Sequence, residues 1–138
     1  MEIAVLLPCY NEGPAIYAVV RSFQKALPGA VVYVYDNNSQ DNTAEEAQRA
    51  GAVVRTETRQ GKGHVIRRMF ADVNADIYVM ADGDGTYDAE AAPELVKKMV
   101  DESLDMVVGA RKSVEGHDTY RRGHEFGNWM LTTTVKKT

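Results

Sequence analysis

Two carboxylates one residue apart, Asp82 and Asp84, follow the apolar run Ile77-Tyr78-Val79-Met80-Ala81. At that spacing they repel each other unless a cation or a basic side chain lies between them. A hard divalent ion suits such a pair, because it takes oxygen ligands and keeps positions open for substrate phosphate. An isolated Asp-x-Asp is also the pattern of a solvated turn or a helix cap. Other residues decide between these readings. Pro8, Tyr10 and Glu12 follow the first apolar run, and Asp36 and Asn37 follow the second. Lys62 lies in a Gly-Lys-Gly loop after the third run, and Arg111 follows the fifth. Together they supply a reader of base and ribose, a metal site and two cations for phosphate. That is the equipment of a nucleotide-diphosphate pocket.

The elements that must hold these residues alternate. Ile3–Leu7 reads as a central strand ended by Pro8. Pro14 opens a helix with Ile16, Val19, Val20, Phe23 and Leu27 on one face, and Pro28-Gly29 stops it. Val31–Tyr35 is a second strand. A turn follows, then a helix capped by Asp41 or Asn42, with capping-box spacing from Thr43 to Glu46 and a stop at Gly51. Ala52–Arg55 is a short third strand. Residues 60–64 form a glycine-flanked loop, and Val65, Ile66, Met69, Phe70 and Val73 mark the core face of a helix. Ile77–Ala81 is the fourth strand, stopped where Gly83 and Gly85 interrupt it. A helix near Pro93 buries Leu95, Val96, Met99 and Val100, and Leu104–Gly109 is a fifth strand. Beyond Arg111, Phe126, Trp129, Met130 and Val135 suggest one face of a last helix. The alternation predicts an α/β fold, a mostly parallel sheet with helices on both faces. In such a sheet the residues after the strands share one edge, where ligands bind.

Composition narrows the function. The chain has 138 residues, 44% of them hydrophobic, so a single domain over 1–138 with a real core is expected. The net charge of −4 argues against nucleic acid as a partner. Charge is uneven: residues 1–110 hold 10 Lys/Arg against 17 Asp/Glu, and residues 111–138 hold 6 against 3. The basic end suits a solvated helix face, or phosphates, or peripheral contact with an anionic membrane. Cys9 is the one cysteine, so no intramolecular disulfide framework exists; at the end of an apolar run it is expected half-buried and inert. Neither a signal peptide nor an apolar stretch of about 20 residues is present, which predicts a cytoplasmic protein.

Three phosphate and metal motifs fail on inspection. The lysine of Gly61-Lys62-Gly63-His64 lacks the following hydroxyl of a P-loop. Pro8–Glu12 replaces the glycines of a dinucleotide fingerprint. A calcium loop starting at Asp82 would need Gly and Glu where Tyr87 and Pro93 stand. What remains is an ordered set: Leu7-Pro8-Cys9-Tyr10-Asn11-Glu12; Asp36-Asn37-Asn38-Ser39 with Asp41 and Thr43; Gly61-Lys62-Gly63; Tyr78 through Asp84; and Val108-Gly109-Ala110-Arg111. In order and spacing this set resembles the family 2 glycosyltransferases, most of all their polyprenyl-phosphate branch, such as dolichyl-phosphate mannose synthases.

The resemblance implies a Rossmann-like GT-A fold and a nucleotide-diphosphate sugar donor, with UDP or GDP as carrier. It implies that Asp82 and Asp84 hold Mg2+ or Mn2+ on the donor diphosphate and act as the catalytic pair, with Gly83 among the donor-binding residues. It assigns Pro8, Tyr10 and Glu12 to the nucleoside, Asp36 and Asn37 to base and ribose, and Lys62 and Arg111 to the phosphates. The chain departs from the pattern at Asn37, an amide where the family pairs two acids, and at Thr86, where relatives can place a third metal ligand. The family continues beyond the point matching Thr138, so the acceptor half is expected to be incomplete, a C-terminal truncation. The implied acceptor is a polyprenyl phosphate, reached at the inner face of the membrane. The alternatives are a sugar-phosphate nucleotidyltransferase and an inactive nucleotide-sugar-binding or assembly module.

Overall fold

Continuous apolar runs with no polar alternation must be covered on both faces, and these runs are. The structure, a computed structural model, describes residues 2–81 and 89–101, together with the backbone of 106–109 and 129–133. Strands β1 (Ile3–Cys9), β2 (Val31–Asp36), β3 (Val53–Thr56), β4 (Ile77–Ala81), β5 (Met106–Gly109) and β6 (Trp129–Thr133) form one sheet in the order β3-β2-β1-β4-β6-β5. The β1–β2, β1–β4 and β2–β3 pairings are parallel. The β4–β6 and β5–β6 pairings are antiparallel. The mostly parallel α/β sheet expected from the sequence is therefore present.

The helices are α1 (Gly13–Ala26), α2 (Thr43–Arg49), α3 (Lys62–Asp72) and α4 (Ala92–Asp101), the last preceded by a 3-10 turn at Ala89–Ala91. Alternate strand residues face opposite layers. Val5, Leu7, Val32, Val34, Ile77 and Val79 pack with Ile16, Val20 and Phe23 of α1, Ala47 of α2 and Met99 of α4. Ala4, Leu6, Tyr35, Tyr78 and Met80 pack with Val65 and Met69 of α3. Helices thus cover both faces.

Several expectations need correction. Pro8 does not end β1, which runs to Cys9 with Pro8 opposite Tyr35. The Cys9 carbonyl accepts the Asn37 N–H at 2.9 Å, so Cys9 faces β2 and Pro8 faces the other way. On that side the described pairing with β4 has already ended at Leu6 and Met80, so the missing proline N–H interrupts nothing described. Cys9 is fully buried. Residues 62–64 are the first turn of α3, and only Gln60 and Gly61 of the expected loop remain outside it, Gly61 as the N-cap. Val100 is exposed, because the buried stripe of α4 is narrow and turns through Met99. Phe70 lies at the rim, its ring edge-on to Tyr78 at 5.0 Å. Trp129 and Met130 belong to a strand instead of a last helix. The β-branched Thr132 and Thr133 favour the extended chain, and β4 offers an edge to pair with. Phe126, Val135, Leu104 and Arg111 lie outside the described residues.

Tyr35 fixes α3 to the sheet. Its side chain is wholly buried, and its hydroxyl donates to Asp72 Oδ2 at 2.9 Å. Burial, then the Asp72 hydrogen bond, push the phenol up from 10.0 to about 12. Since the neutral phenol is favoured in the fold, its contribution is complete below about pH 10 and is lost as pH climbs through about 12. Urea denaturation of wild type and Tyr35→Phe at pH 8, 10 and 12 should show a wild-type advantage on the order of 2 kcal/mol that shrinks toward zero at the top of the range. A constant difference across that range would show that the phenol does not carry the linkage.

Candidate functional site

Parallel strands put their carboxyl ends on one edge, and the loops leaving β1, β2 and β3 there meet. Their backbone groups no longer have ladder partners, so side chains must supply them. The β1–α1 and β2–α2 loops are stitched together in this way. The Asn11 N–H donates to Ser39 Oγ at 2.8 Å, and the Gln40 N–H donates back to Asn11 Oδ1 at 2.8 Å. The Glu12 N–H donates to Thr43 Oγ1 at 2.8 Å, and the Gly13 N–H to Asp41 Oδ2 at 3.0 Å. The Thr43 hydroxyl in turn donates to Asp41 Oδ1, which also accepts the Thr43 N–H at 2.9 Å. Thr43 therefore serves this clamp, and no side-chain hydrogen bond caps α2 from its N-cap residue Asn42. The Thr43 hydroxyl, then the N–H groups of Gly13 and Thr43, hold the Asp41 carboxyl below the usual carboxylate range.

Gly13 lets the loops approach this closely without displacing the Asp41 and Asn42 side chains. A Cβ there would lie 2.2 Å from Asn42 Oδ1 and 2.9 Å from Asp41 Oδ2. Asn11 and Asn38, one in each loop, take the left-handed conformation with φ of 53° and 65°, which asparagine tolerates better than most residues.

The loops enclose a cleft of about 380 Å³ lined by Pro8, Cys9, Tyr10, Glu12, Asn37, Gln60, Gly61, Lys62 and Val65. Five of the residues expected from the sequence to bind substrate are therefore together: Pro8, Tyr10, Glu12, Asn37 and Lys62. Buried Cys9 and Val65 add apolar surface to the lining, and Tyr10, 48% exposed, offers an aromatic face. Lys62 is the first residue of α3, whose first turn holds no acid. The positive end of the helix dipole and the ammonium group lie together there, which favours an anion.

Asp36 is buried between these loops without lining the cleft. Among the described residues its Oδ1 finds no hydrogen-bond partner. Its neighbour Asn37 is tied to the β3–α3 segment through Glu57, Arg59 and Gly61. Asp82, Gly83, Asp84, Thr86 and Arg111 lie outside the described residues, so the expected metal pair has no described geometry. Among the described residues no cluster of three or more acids, histidines or cysteines could hold a metal. No helix among them is long and apolar enough to cross a membrane.

Sequence reading missed Gln60 and gave Cys9 and Val65 only structural places. Gln60 could have been found from its position directly before Gly61-Lys62. Nothing local in the sequence points Cys9 or Val65 toward a cleft, since both belong to apolar runs.

Comparison with known proteins places this arrangement. The family described as "Glycosyl transferase family 2" matches residues 4–137. Protein RfbJ of Shigella flexneri is 53% identical over 123 residues, covering 89% of this chain and 95% of RfbJ. Dolichol-phosphate mannosyltransferase of Pyrococcus furiosus is 27% identical over 136 residues, covering 94% of this chain and 36% of that protein. Glucosyl-3-phosphoglycerate synthase of Mycobacterium tuberculosis, solved with UDP, superposes with a TM-score of 0.69 at 29% identity over 77% of this chain and 43% of the synthase. The same synthase has been solved with Mn2+, UDP-glucose and phosphoglyceric acid, and with Mg2+ and UDP. The chain thus spans nearly all of RfbJ and less than half of the other two.

The clamp gives a prediction. Thr43 is fully buried, and Thr43→Val keeps its shape while removing the acceptor of the Glu12 N–H. The expected cost is about 1–3 kcal/mol, read as a lower denaturant midpoint at unchanged slope. An unchanged midpoint would mean that the two loops hold together without this bond.

Proposed function

The chain belongs to glycosyl transferase family 2, and on that premise we propose that the cleft binds a nucleotide-diphosphate sugar, a UDP- or GDP-sugar, whose sugar passes to a polyprenyl-phosphate acceptor. The observation that supports this most is the meeting of Pro8, Tyr10, Glu12, Asn37 and Lys62 around one cleft at the carboxyl edge of a parallel sheet. Their chemistry divides as a nucleoside diphosphate requires. The Tyr10 ring offers a face on which a base stacks, and the Glu12 carboxylate accepts hydrogen bonds from the nucleoside. Asp36, directly before Asn37 of the lining, carries an oxygen without a hydrogen-bond partner among the described residues, and would serve base or ribose. Lys62 and the amino end of α3 face the negative charge of the diphosphate, and Arg111 adds a second cation.

The metal reading rests on the donor set. Two carboxylates are hard oxygen ligands that suit Mg2+ or Mn2+ and leave room for phosphate oxygens. Asp82 and Asp84 would hold the ion, with Gly83 letting the chain approach the donor closely. When bound, the ion would take up negative charge on the departing diphosphate. The solved synthase complexes with Mg2+ or Mn2+ and UDP are consistent with this. So is the acceptor class of the archaeal mannosyltransferase relative. A lipid phosphate is already an anion, so the reaction needs no general base from this chain. Catalysis needs donor and acceptor held together. An acceptor of this class would bring the chain to the membrane surface as a peripheral protein, on the cytoplasmic side.

Calorimetric titration with UDP and with GDP, each with and without Mn2+, tests the reading. One of the two nucleotides should bind, and binding should strengthen with the ion. Asp84→Asn should remove the dependence on the ion and weaken binding at least about tenfold, since losing one member of a charged site costs roughly 2–5 kcal/mol. Equal affinity with and without Mn2+ in both proteins would end the metal part of the proposal. Lys62→Gln should weaken the diphosphate by roughly threefold or more while leaving the nucleoside alone unaffected. Equal losses for nucleoside and nucleoside diphosphate would move Lys62 away from the phosphates.

A further inference from the structure

We propose that Asn37 is a positioning residue: its carboxamide holds the 57–61 segment in place as a wall of the cleft, and it does not read the base itself. This rests on the nucleotide reading above and sharpens it at the position where the chain carries an amide in place of an acid. The argument is a count of valences. An amide NH2 has two hydrogens. Asn37 Nδ2 lies 2.8 Å from the Glu57 carbonyl and 2.9 Å from the Arg59 carbonyl, so both are used. Asn37 Oδ1 accepts the Gly61 N–H at 2.9 Å, with Gln60 Nε2 at 3.4 Å. The residue is 4% exposed. A ligand in the cleft meets no spare donor on this side chain.

The rest of the segment depends on the same anchor. Gln60 Nε2 donates to the Asn37 carbonyl at 3.1 Å. Asn38 Nδ2 donates to the Thr58 carbonyl at 2.8 Å and to Gln60 Oε1 at 3.2 Å. Glu57 Oε2 accepts the Arg59 N–H at 2.7 Å. All five residues from Glu57 to Gly61 are therefore tied either to the Asn37–Asn38 pair or to one another. The segment ends in Gln60, Gly61 and Lys62, which line the cleft. Gly61, at φ 128°, takes a conformation that other residues reach only under strain. An acid at position 37 could not do this work, because a carboxylate would face two carbonyl oxygens with no hydrogen to offer.

The difference in hydrogen content gives a test with opposite signs for the two roles. The substitution is Asn37→Asp, read as its UDP or GDP affinity relative to wild type, with Mn2+, between pH 5 and pH 8. The charged groups around the position are Asp36 at the end of β2 just before it, Glu57 and Arg59 in the segment, Glu12 and Lys62 of the cleft lining, and Arg68 of α3, which pairs with Glu57. They are common to both proteins, so the ratio isolates the introduced carboxyl. Acting as a strut, that carboxyl is useful only when protonated, when it can donate one hydrogen bond. Affinity should then be at least about tenfold below wild type at pH 8 and recover toward it at pH 5. Without ligand, trypsin should cut after Arg59 faster in the variant than in wild type at pH 8. Acting as a base reader, the ionised carboxylate accepts from the base, and relative affinity would rise from pH 5 to pH 8. That second outcome, or an unchanged ratio, overturns the proposal while leaving nucleotide binding intact. Gly61→Ala is the second check, since it disturbs the wall while keeping the asparagine at position 37. It should weaken the nucleotide severalfold, and full affinity would also overturn the proposal. If wild type binds neither nucleotide, the donor reading fails and this inference fails with it.

Discussion

A chain leaving a parallel sheet carries N–H and C=O groups that the ladder no longer satisfies, and every feature of the cleft follows from how this protein satisfies them. It does so with short polar side chains from neighbouring loops. Asp41, Thr43 and Ser39 receive the N–H groups of the β1–α1 loop. Asn37 and Asn38 receive or supply those of the β3–α3 segment. The β2–α2 loop is thus the hub, bonded to a loop on each side. Because these bonds join loops from different strands, the lining residues are held by one another as well as by the sheet. A preformed cleft of this kind loses little order when a ligand enters, which favours affinity.

Electrostatics reinforce the same geometry from behind. Asp72 of α3 accepts from Tyr35 of β2 and pairs with Arg68, and Arg68 reaches Glu57 at the start of the cleft wall. The Arg59 N–H, with Arg68 adding to it, holds the buried Glu57 carboxyl below the usual carboxylate range. Tyr35, then Arg68, do the same for Asp72. Both acids therefore stabilise the fold in their charged form, a contribution present at neutral pH and lost as the solution becomes acid. Helix α3 is thereby bound to the sheet at its carboxyl end and to the cleft wall through Arg68. Its amino end, with Lys62, faces the cleft.

The strand order also matters to function. From β1 the sheet grows in two directions, toward β2 and β3 on one side and toward β4 on the other. Ligands of open α/β sheets bind where the order reverses in this way. The cleft occupies the β1–β2 side of that point, and β4, on the other side, ends at Ala81, directly before Asp82 in sequence. The residues that line the cleft thus lie on one side of β1, and the strand that precedes the acidic pair in sequence lies on the other.

The amino-acid sequence determined the architecture, because its signals are local and repeated. Apolar runs of four to seven residues alternate with amphipathic segments, and turn residues punctuate them, so four parallel strands and their helices were legible. The order of short motifs along the chain was equally legible, and it identified the family. Local pattern could not show what each polar residue bonds to. Thr43 has capping-box spacing, yet its hydroxyl serves a loop 31 residues away, a partner visible only after folding. The resemblance put Asn37, with Asp36, at base and ribose, and only the folded chain surrounds its amide with two carbonyls and an N–H. Tertiary pairing likewise drew Trp129–Thr133 into a strand against β4, and it carried β1 through Pro8, because the missing N–H falls where no described strand pairs. Periodicity reports which face of an element is apolar; which polar groups meet across elements depends on distances that only the packed fold sets.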